Sequence, residues 1–204
     1  MLLAWIEQGA SRGEGVDPLP AAQPAAAPAW PLGPPDAIVS MPEAAQIPAT
    51  GLVPYQVYTV KSSLPEAAWV RGAAIRAGNA KVVHHCLVFI NYPETLKHLE
   101  PKQEQGTAGF FAGFVPGTEP VFFPPGTAKF LPKGAEFIFQ MHYTTTGKEE
   151  SDRTEMGLYL APGKPAAELI TGAATTQEFE IPPGVRAQPV RAEFQFERDA
   201  WLYE

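Results

Sequence analysis

The sequence predicts an all-β fold, an antiparallel β-sandwich of the jelly-roll type. Short apolar runs recur along the chain, and turn-forming residues separate them; the 204 residues include 23 prolines and 18 glycines. The run 190–197 alternates apolar and polar residues, as a strand of an antiparallel sheet does when one face meets solvent. Only the segment 93–100, bounded by Pro93 and Pro101, has the features of a helix inside the domain.

The predicted strands follow one another from residue 55 onward. They are 55–60, 68–76, 81–90, 110–114, 128–131, 135–145, 155–161, 176–181 and 190–197. Turn dipeptides lie between them, among them Pro116-Gly117, Lys133-Gly134 and Pro162-Gly163. This succession of short strands fits one hydrophobic core in a chain of this length.

The two ends of the chain depart from the strand pattern. Residues 1–9 have the composition of the last turns of a helix, and 10–35 is a linker rich in proline and alanine. We therefore expect the end of an upstream helical domain at 1–9 and the β-sandwich at 36–204. The apolar residues near 198–204 indicate the start of a further domain that the chain does not contain.

Charge and composition argue against several classes of protein. The formal net charge of -7, without a basic cluster, disfavours a nucleic-acid partner. No apolar run reaches the roughly 18 residues of a membrane span, and the first ten residues lack the basic start of a signal peptide. The single cysteine, Cys86, excludes an internal disulfide, and its apolar neighbours predict a buried side chain.

Three of the four histidines lie in predicted strands and are the candidate metal ligands. His84 and His85 are adjacent, and His142 alternates with an apolar face, so it is expected to point away from the core. Three neutral imidazoles suit copper or zinc. Adjacent residues of a regular strand point to opposite faces, so His84 and His85 reach one ion only if the strand is bulged. The alternative is one histidine packed in the core and the other at the surface.

Other potential ligands have simpler interpretations. His98 belongs to the predicted helical segment and is expected to face solvent. Methionine sulfur binds Cu(I), but Met141 lies on an apolar strand face, and core packing is expected for Met141 and Met156.

Two segments resemble the copper type II, ascorbate-dependent monooxygenases, the family of peptidylglycine α-hydroxylating monooxygenase and dopamine β-monooxygenase. AGNAKVVHHCLVFI, at 77–90, is similar to the stretch that opens the copper site in that family. LPKGAEFIFQMHYTTTGKEESDRTEMGLYL, at 131–160, is similar to the following block, in which a glutamine-x-histidine-tyrosine motif supplies the third ligand. The resemblance covers roughly 36–204 and is closest to bacterial members.

The resemblance implies that His84, His85 and His142 bind one copper ion in a jelly-roll sandwich. In that family this copper takes electrons from a reductant such as ascorbate and passes them to a second copper, where O2 is activated and a C–H bond is hydroxylated. The resemblance implies a second copper domain in the same polypeptide, because the histidine-x-histidine pair and methionine of that site are missing here. It also implies an upstream cytochrome c domain and a periplasmic or extracellular location. The single cysteine departs from the disulfide-rich animal members.

Two other functions stay open at this point. One is a non-catalytic β-sandwich module that binds a glycan or a protein within a larger secreted or periplasmic protein, using Phe110, Phe111, Phe122 and Phe123. The other is a zinc hydrolase with three histidine ligands, for which Glu136 and Glu155 are the nearby carboxylates available as a general base. No residue of this chain is assigned a catalytic role.

Overall fold

The structure is a computed structural model that describes residues 2–11, 30–100, 109–120, 122–196 and 199–203. Its helices are α1 (Leu2–Glu7) and a 3₁₀ helix (Glu94–Leu99). Its strands are β1 (Ala37–Ser40), β2 (Ala45–Ile47), β3 (Gln56–Lys61), β4 (Ala68–Arg76), β5 (Val83–Asn91), β6 (Phe110–Phe114), β7 (Thr127–Leu131), β8 (Glu136–Tyr143), β9 (Glu150–Asp152), β10 (Glu155–Leu160) and β11 (Ala167–Glu168). Within these residues no helix has the length and apolar character that crossing a membrane requires.

Two sheets form a sandwich. One has five strands in the order β1-β10-β4-β7-β11, and the other has four in the order β3-β8-β5-β6. The short strands β2 and β9 pair with each other. Every pairing is antiparallel except that of β11 with β7. The predicted all-β fold is confirmed, and its jelly-roll connectivity stays a prediction.

The core lies between the two sheets and takes alternate residues from each strand. Phe137, Phe139 and Met141 on β8 are fully buried, as are Cys86 and Val88 on β5. The intervening residues of both strands are less buried and form the outer face of the four-stranded sheet. This alternation explains why β5 and β8 were recognisable in the sequence, and it confirms the predicted burial of Cys86.

Two predicted strands do not form. The segments 176–181 and 190–196 contain no strand, and most of their side chains are exposed; residue 197 lies outside the described residues. Alternating apolar and polar residues define two faces, but a strand also needs a neighbour for its backbone hydrogen bonds. The predicted helical segment 93–100 contains the 3₁₀ helix instead of an α-helix. Glu100, directly before Pro101, has extended backbone angles, as a residue before proline prefers, and the helix ends there.

The described part of the predicted linker packs against the sandwich. Trp30 and Pro35 lie so close to Gly157 that a Cβ added there would be 2.9 Å from Pro35 Cβ and 3.0 Å from the Trp30 ring. The Arg76 guanidinium lies 4.3 Å from the centroid of the Trp30 ring, in a cation–π contact. The rest of the linker, 12–29, lies outside the described residues. Trp30 and Pro35 of the predicted linker therefore pack against the sandwich.

Burial predicts which phenylalanine stabilises the domain. Phe139→Ala removes a fully buried ring from the core face of β8, so it should lower the free energy of unfolding by about 3–5 kcal/mol. Phe179→Ala is the matched control, because Phe179 is 51% exposed and its loss should change that free energy by less than about 0.5 kcal/mol. Urea unfolding followed by circular dichroism measures both changes. Equal losses in the two variants would contradict the core described above.

Candidate metal centre

A β-bulge in β5 lies at the two adjacent histidines. Val83 pairs with Tyr143, and His85 pairs with His142, so the register shifts by one residue between Val83 and His85. In a regular strand His84 and His85 would point to opposite faces of the sheet. The extra residue at the bulge instead lets both imidazoles reach the outer face, where His142 lies. The β-bulge that two adjacent histidines need in order to reach one ion is therefore present.

The three imidazoles converge on one point of this outer face. Their ring centroids are 5.4 Å apart for His84 and His85, 4.8 Å for His84 and His142, and 4.9 Å for His85 and His142. One nitrogen from each ring lies within 4.8 Å of the nitrogens of the other two. The three histidines are thus close enough together to hold a metal ion. No other group of three potential ligands was found in the described part of the chain.

The spacing of the ring nitrogens fits metal coordination. The Nδ1 atoms of His84 and His85 are 3.1 Å apart. Two nitrogens bound about 2.0–2.1 Å from one metal ion, at a near-tetrahedral angle, are separated by roughly 3.3 Å. Without a metal, the same spacing allows a hydrogen bond in which one neutral ring donates and the other accepts. Metal coordination and this hydrogen bond both require at least one neutral imidazole ring.

The third histidine has a buried ring nitrogen without a hydrogen-bond partner among the described residues. Nδ1 of His142 is buried and has no hydrogen-bond partner among the described residues. Buried polar atoms are nearly always hydrogen-bonded, so such an atom needs an explanation. A metal ion held jointly with His84 and His85 provides one, because a neutral imidazole nitrogen is a good ligand for copper and zinc. The residues present therefore fit a metal ion of this kind.

Tyr55 forms one wall of the centre and was not among the predicted site residues. Its ring stacks on that of His142, with centroids 4.7 Å apart and planes 12° from parallel. The Tyr55 and His85 centroids are 5.7 Å apart. Tyr55 precedes β3, whose first residue, Gln56, pairs with Met141 on β8. Only this long-range pairing brings the tyrosine to the histidines, so no local pattern could have predicted its position.

Burial and the two neighbouring histidines lower the proton affinity of His85. Burial first, and then the charges of His142 and His84, lower the pKa of the His85 imidazole. A lowered pKa favours the neutral ring, which has the free lone pair that a metal ion requires. The environment of His85 therefore disfavours proton binding and leaves the nitrogen available.

The remaining candidate ligands lie elsewhere, as the sequence predicted. His98 is exposed on the 3₁₀ helix. Met141 and Met156 are fully buried in the core cluster. None of the three belongs to the histidine group.

The two glutamates considered for a zinc hydrolase do not approach the histidines. Glu155 accepts hydrogen bonds from Arg76 and Ser40 in the five-stranded sheet. Glu136 begins β8, and His142 lies six positions along it, which corresponds to about 20 Å in a strand. Neither carboxylate is placed to act as a general base beside a metal ion at the three histidines.

The four phenylalanines of the alternative binding module do not form one exposed surface. Phe111 is 2% exposed and packs edge-on against Phe137 in the core. Phe110 and Phe123 are half-buried, and both face the Lys129 ammonium, at 5.6 and 5.4 Å from the ring centroids. Burial lowers the Lys129 pKa to about 8. Phe110, Phe111 and Phe123 therefore pack around a buried lysine, and Phe122 is the exposed ring of the four.

Comparison with models of known protein families found no match, and neither did a search of curated proteins. The two segments at 77–90 and 131–160 supply all three converging histidines.

Zn²⁺ provides a redox-inactive test of the centre. The protein should bind one zinc ion, and at a free concentration about 100 times the dissociation constant the ion should add about 2.7 kcal/mol to the free energy of unfolding. His142→Ala should abolish this gain because two ligands remain. His98→Ala is the matched control and should retain it. Calorimetric titration and thermal unfolding measure both effects, and an unchanged stoichiometry in His142→Ala would contradict the assignment.

The lowered pKa of His85 predicts a pH effect on the metal-free protein. Unfolded His85 titrates near 6.5, and the folded residue titrates lower, so the unfolded state binds more protons between the two values. The free energy of unfolding should therefore fall as the pH drops from about 7.5 to about 5.5. His85→Gln should reduce this fall, whereas His98→Gln should not. Urea unfolding at both pH values provides the measurement, and identical pH dependence in the two variants would count against it.

Proposed function

We propose that the domain binds one copper ion through His84, His85 and His142 and acts as the electron-transfer half of a copper monooxygenase. The main support is the convergence of three imidazoles at the β5 bulge, with the unpaired Nδ1 of His142 among them. Copper is favoured over zinc because the ligand set is all imidazole and Cu(II) binds nitrogen ligands more tightly. A zinc hydrolase would also need a general base, and the two candidate glutamates lie away from the centre.

When bound, copper would take one electron at a time from a reductant such as ascorbate and pass it to a second copper, where O2 is activated and a substrate C–H bond is hydroxylated. His84, His85 and His142 of this chain would hold the first ion. His84 is exposed, so a small reductant has access to the site from solvent. Tyr55 covers the His142 ring and limits its rotation. Three neutral nitrogens without a charged ligand suit the Cu(I) and Cu(II) states alike.

The proposal includes partners that the resemblance implies. A second copper-binding domain in the same polypeptide would complete the monooxygenase, and an upstream cytochrome c domain would be a source of electrons. A periplasmic or extracellular location belongs to the same proposal. The isolated 204 residues should hydroxylate nothing on their own.

The proposed function is tested by reducing and reoxidising the bound copper and measuring whether the copper stays bound. The Cu(II)-loaded protein should lose its electron paramagnetic resonance signal with ascorbate under anaerobic conditions, and a one-electron oxidant should restore it. Because free copper is also reduced by ascorbate, the protein is desalted after each step, and the copper should stay bound in both states. His142→Ala should release copper on reduction, whereas His98→Ala should behave as the wild type.

Release of copper from the wild type on reduction would overturn the electron-transfer role. Hydroxylation of a substrate by the isolated chain would also contradict it, because that result would place oxygen activation at this one centre.

A further inference from the structure

A buried carboxylate connects the two segments that carry the histidines. Asp152, at the end of β9, is 2% exposed. Its Oδ2 accepts hydrogen bonds from the hydroxyls of Tyr143, at 3.0 Å, and Thr154, at 2.8 Å. Its Oδ1 accepts one from the backbone N–H of Asn79, at 2.8 Å. Each of the three neutral donors offsets part of the cost of removing the carboxylate charge from water.

Two of these donors belong to the parts of the chain that carry the histidines. Tyr143 follows His142 in β8. Asn79 opens the turn that leads into β5, and its backbone carbonyl accepts the N–H groups of Val82 and Val83, each at 3.2 Å. Val83 is the last residue before the bulge. Asp152 therefore holds the chain just before the first ligand and just after the third.

Close backbone packing reinforces this connection. A Cβ added to Gly78 would lie 2.7 Å from the carbonyl oxygen and 2.8 Å from the nitrogen of Arg153, distances that side chains do not tolerate. The absence of a side chain at Gly78 lets the Asn79 turn approach Asp152. On the other side of the turn, the N–H of Thr144 donates to the carbonyl of Val82 at 2.8 Å.

The third donor to Asp152, Thr154, lies outside the strands that carry the histidines. Thr154 follows β9, and its carbonyl accepts the N–H of Met41 at 3.1 Å. Thr154 is fully buried, as Tyr143 nearly is. It therefore makes the same type of hydrogen bond to the same oxygen of Asp152 but lies outside β5 and β8, the two strands that carry the histidines.

We propose that Asp152 is a positioning residue for the metal centre, acting through Tyr143 and Asn79 to hold the β5 bulge in register with His142 before a metal ion arrives. This inference depends on the proposed metal site. A bulge interrupts the ladder locally, so the backbone there needs an additional constraint to present two adjacent side chains to one point. Metal ligands must be held within about 0.5 Å of their working positions, and the groups behind them supply that constraint.

Two variants that each remove one hydroxyl from Asp152 test this role. Tyr143→Phe removes the hydrogen bond that comes from the histidine strand β8, and Thr154→Val removes the one that comes from outside β5 and β8. Both should lower the unfolding midpoint. Only Tyr143→Phe should weaken Co²⁺ and Zn²⁺ binding, by about 10–100-fold, and change the visible spectrum of the Co²⁺ form. Thr154→Val should keep the metal affinity within about twofold of the wild type.

A metal-free measurement separates this inference from the proposed function. Nitrogen-15 correlation spectra of the imidazoles report the order of His84, His85 and His142 in the protein without metal. In Tyr143→Phe these three signals should shift or broaden, and in Thr154→Val they should match the wild type. If the wild type binds no metal, the proposed function fails, and these spectra still decide whether Asp152 orders the histidines.

Equal behaviour of the two variants in metal affinity and in the imidazole spectra would overturn the inference. If Tyr143→Phe does not fold, Asp152→Asn replaces it, because it preserves the shape of the side chain and removes one oxygen acceptor. Its expected result is the same loss of affinity and the same change in the three imidazole signals. Wild-type affinity and spectra in that folded variant would also overturn the inference.

Discussion

The pairing of β5 with β8 must satisfy two demands that a regular ladder cannot meet together. On the inner side, both strands supply the core with fully buried residues such as Val88 and Phe139. On the outer side, two consecutive histidines must face His142. The extra residue at the bulge between Val83 and His85 makes both possible. The strand still directs alternate residues into the core on each side of the bulge, and the bulge itself turns both histidines outward. The sandwich core and the metal centre therefore share a single local irregularity.

Local patterns predicted the parts of the molecule that repeat with the period of a strand. The alternation in 135–145 placed His142 on the outer face, and the apolar run around Cys86 placed that thiol in the core, as the structure confirms. The need for a bulge at His84 and His85 followed from strand geometry, but its position depends on the register with β8. The strands predicted at 176–181 and 190–197 show the limit of alternation, which specifies two faces without specifying a neighbour.

Tyr55 and Asp152 could not have been predicted because both act over long sequence separations. Tyr55 reaches His142 through the β3–β8 pairing. Asp152 reaches the turn at Asn79 through the short strand β9, which is only three residues long and has no periodic signal. A ligand set can thus be recognised from residue types, whereas the groups that orient it emerge only from tertiary contacts.

Cys86, directly after His85, would be vulnerable to oxidation if it shared a face with a redox-active ion. The strand directs its side chain to the opposite side of the sheet, where it is fully buried. Burial and then the charge of Asp152 raise the pKa of the Cys86 thiol, and the thiolate is the form that copper oxidises and binds. One layer of β-sheet thus separates the thiol from the three histidines and would protect the thiol from oxidation if a redox-active ion were bound there.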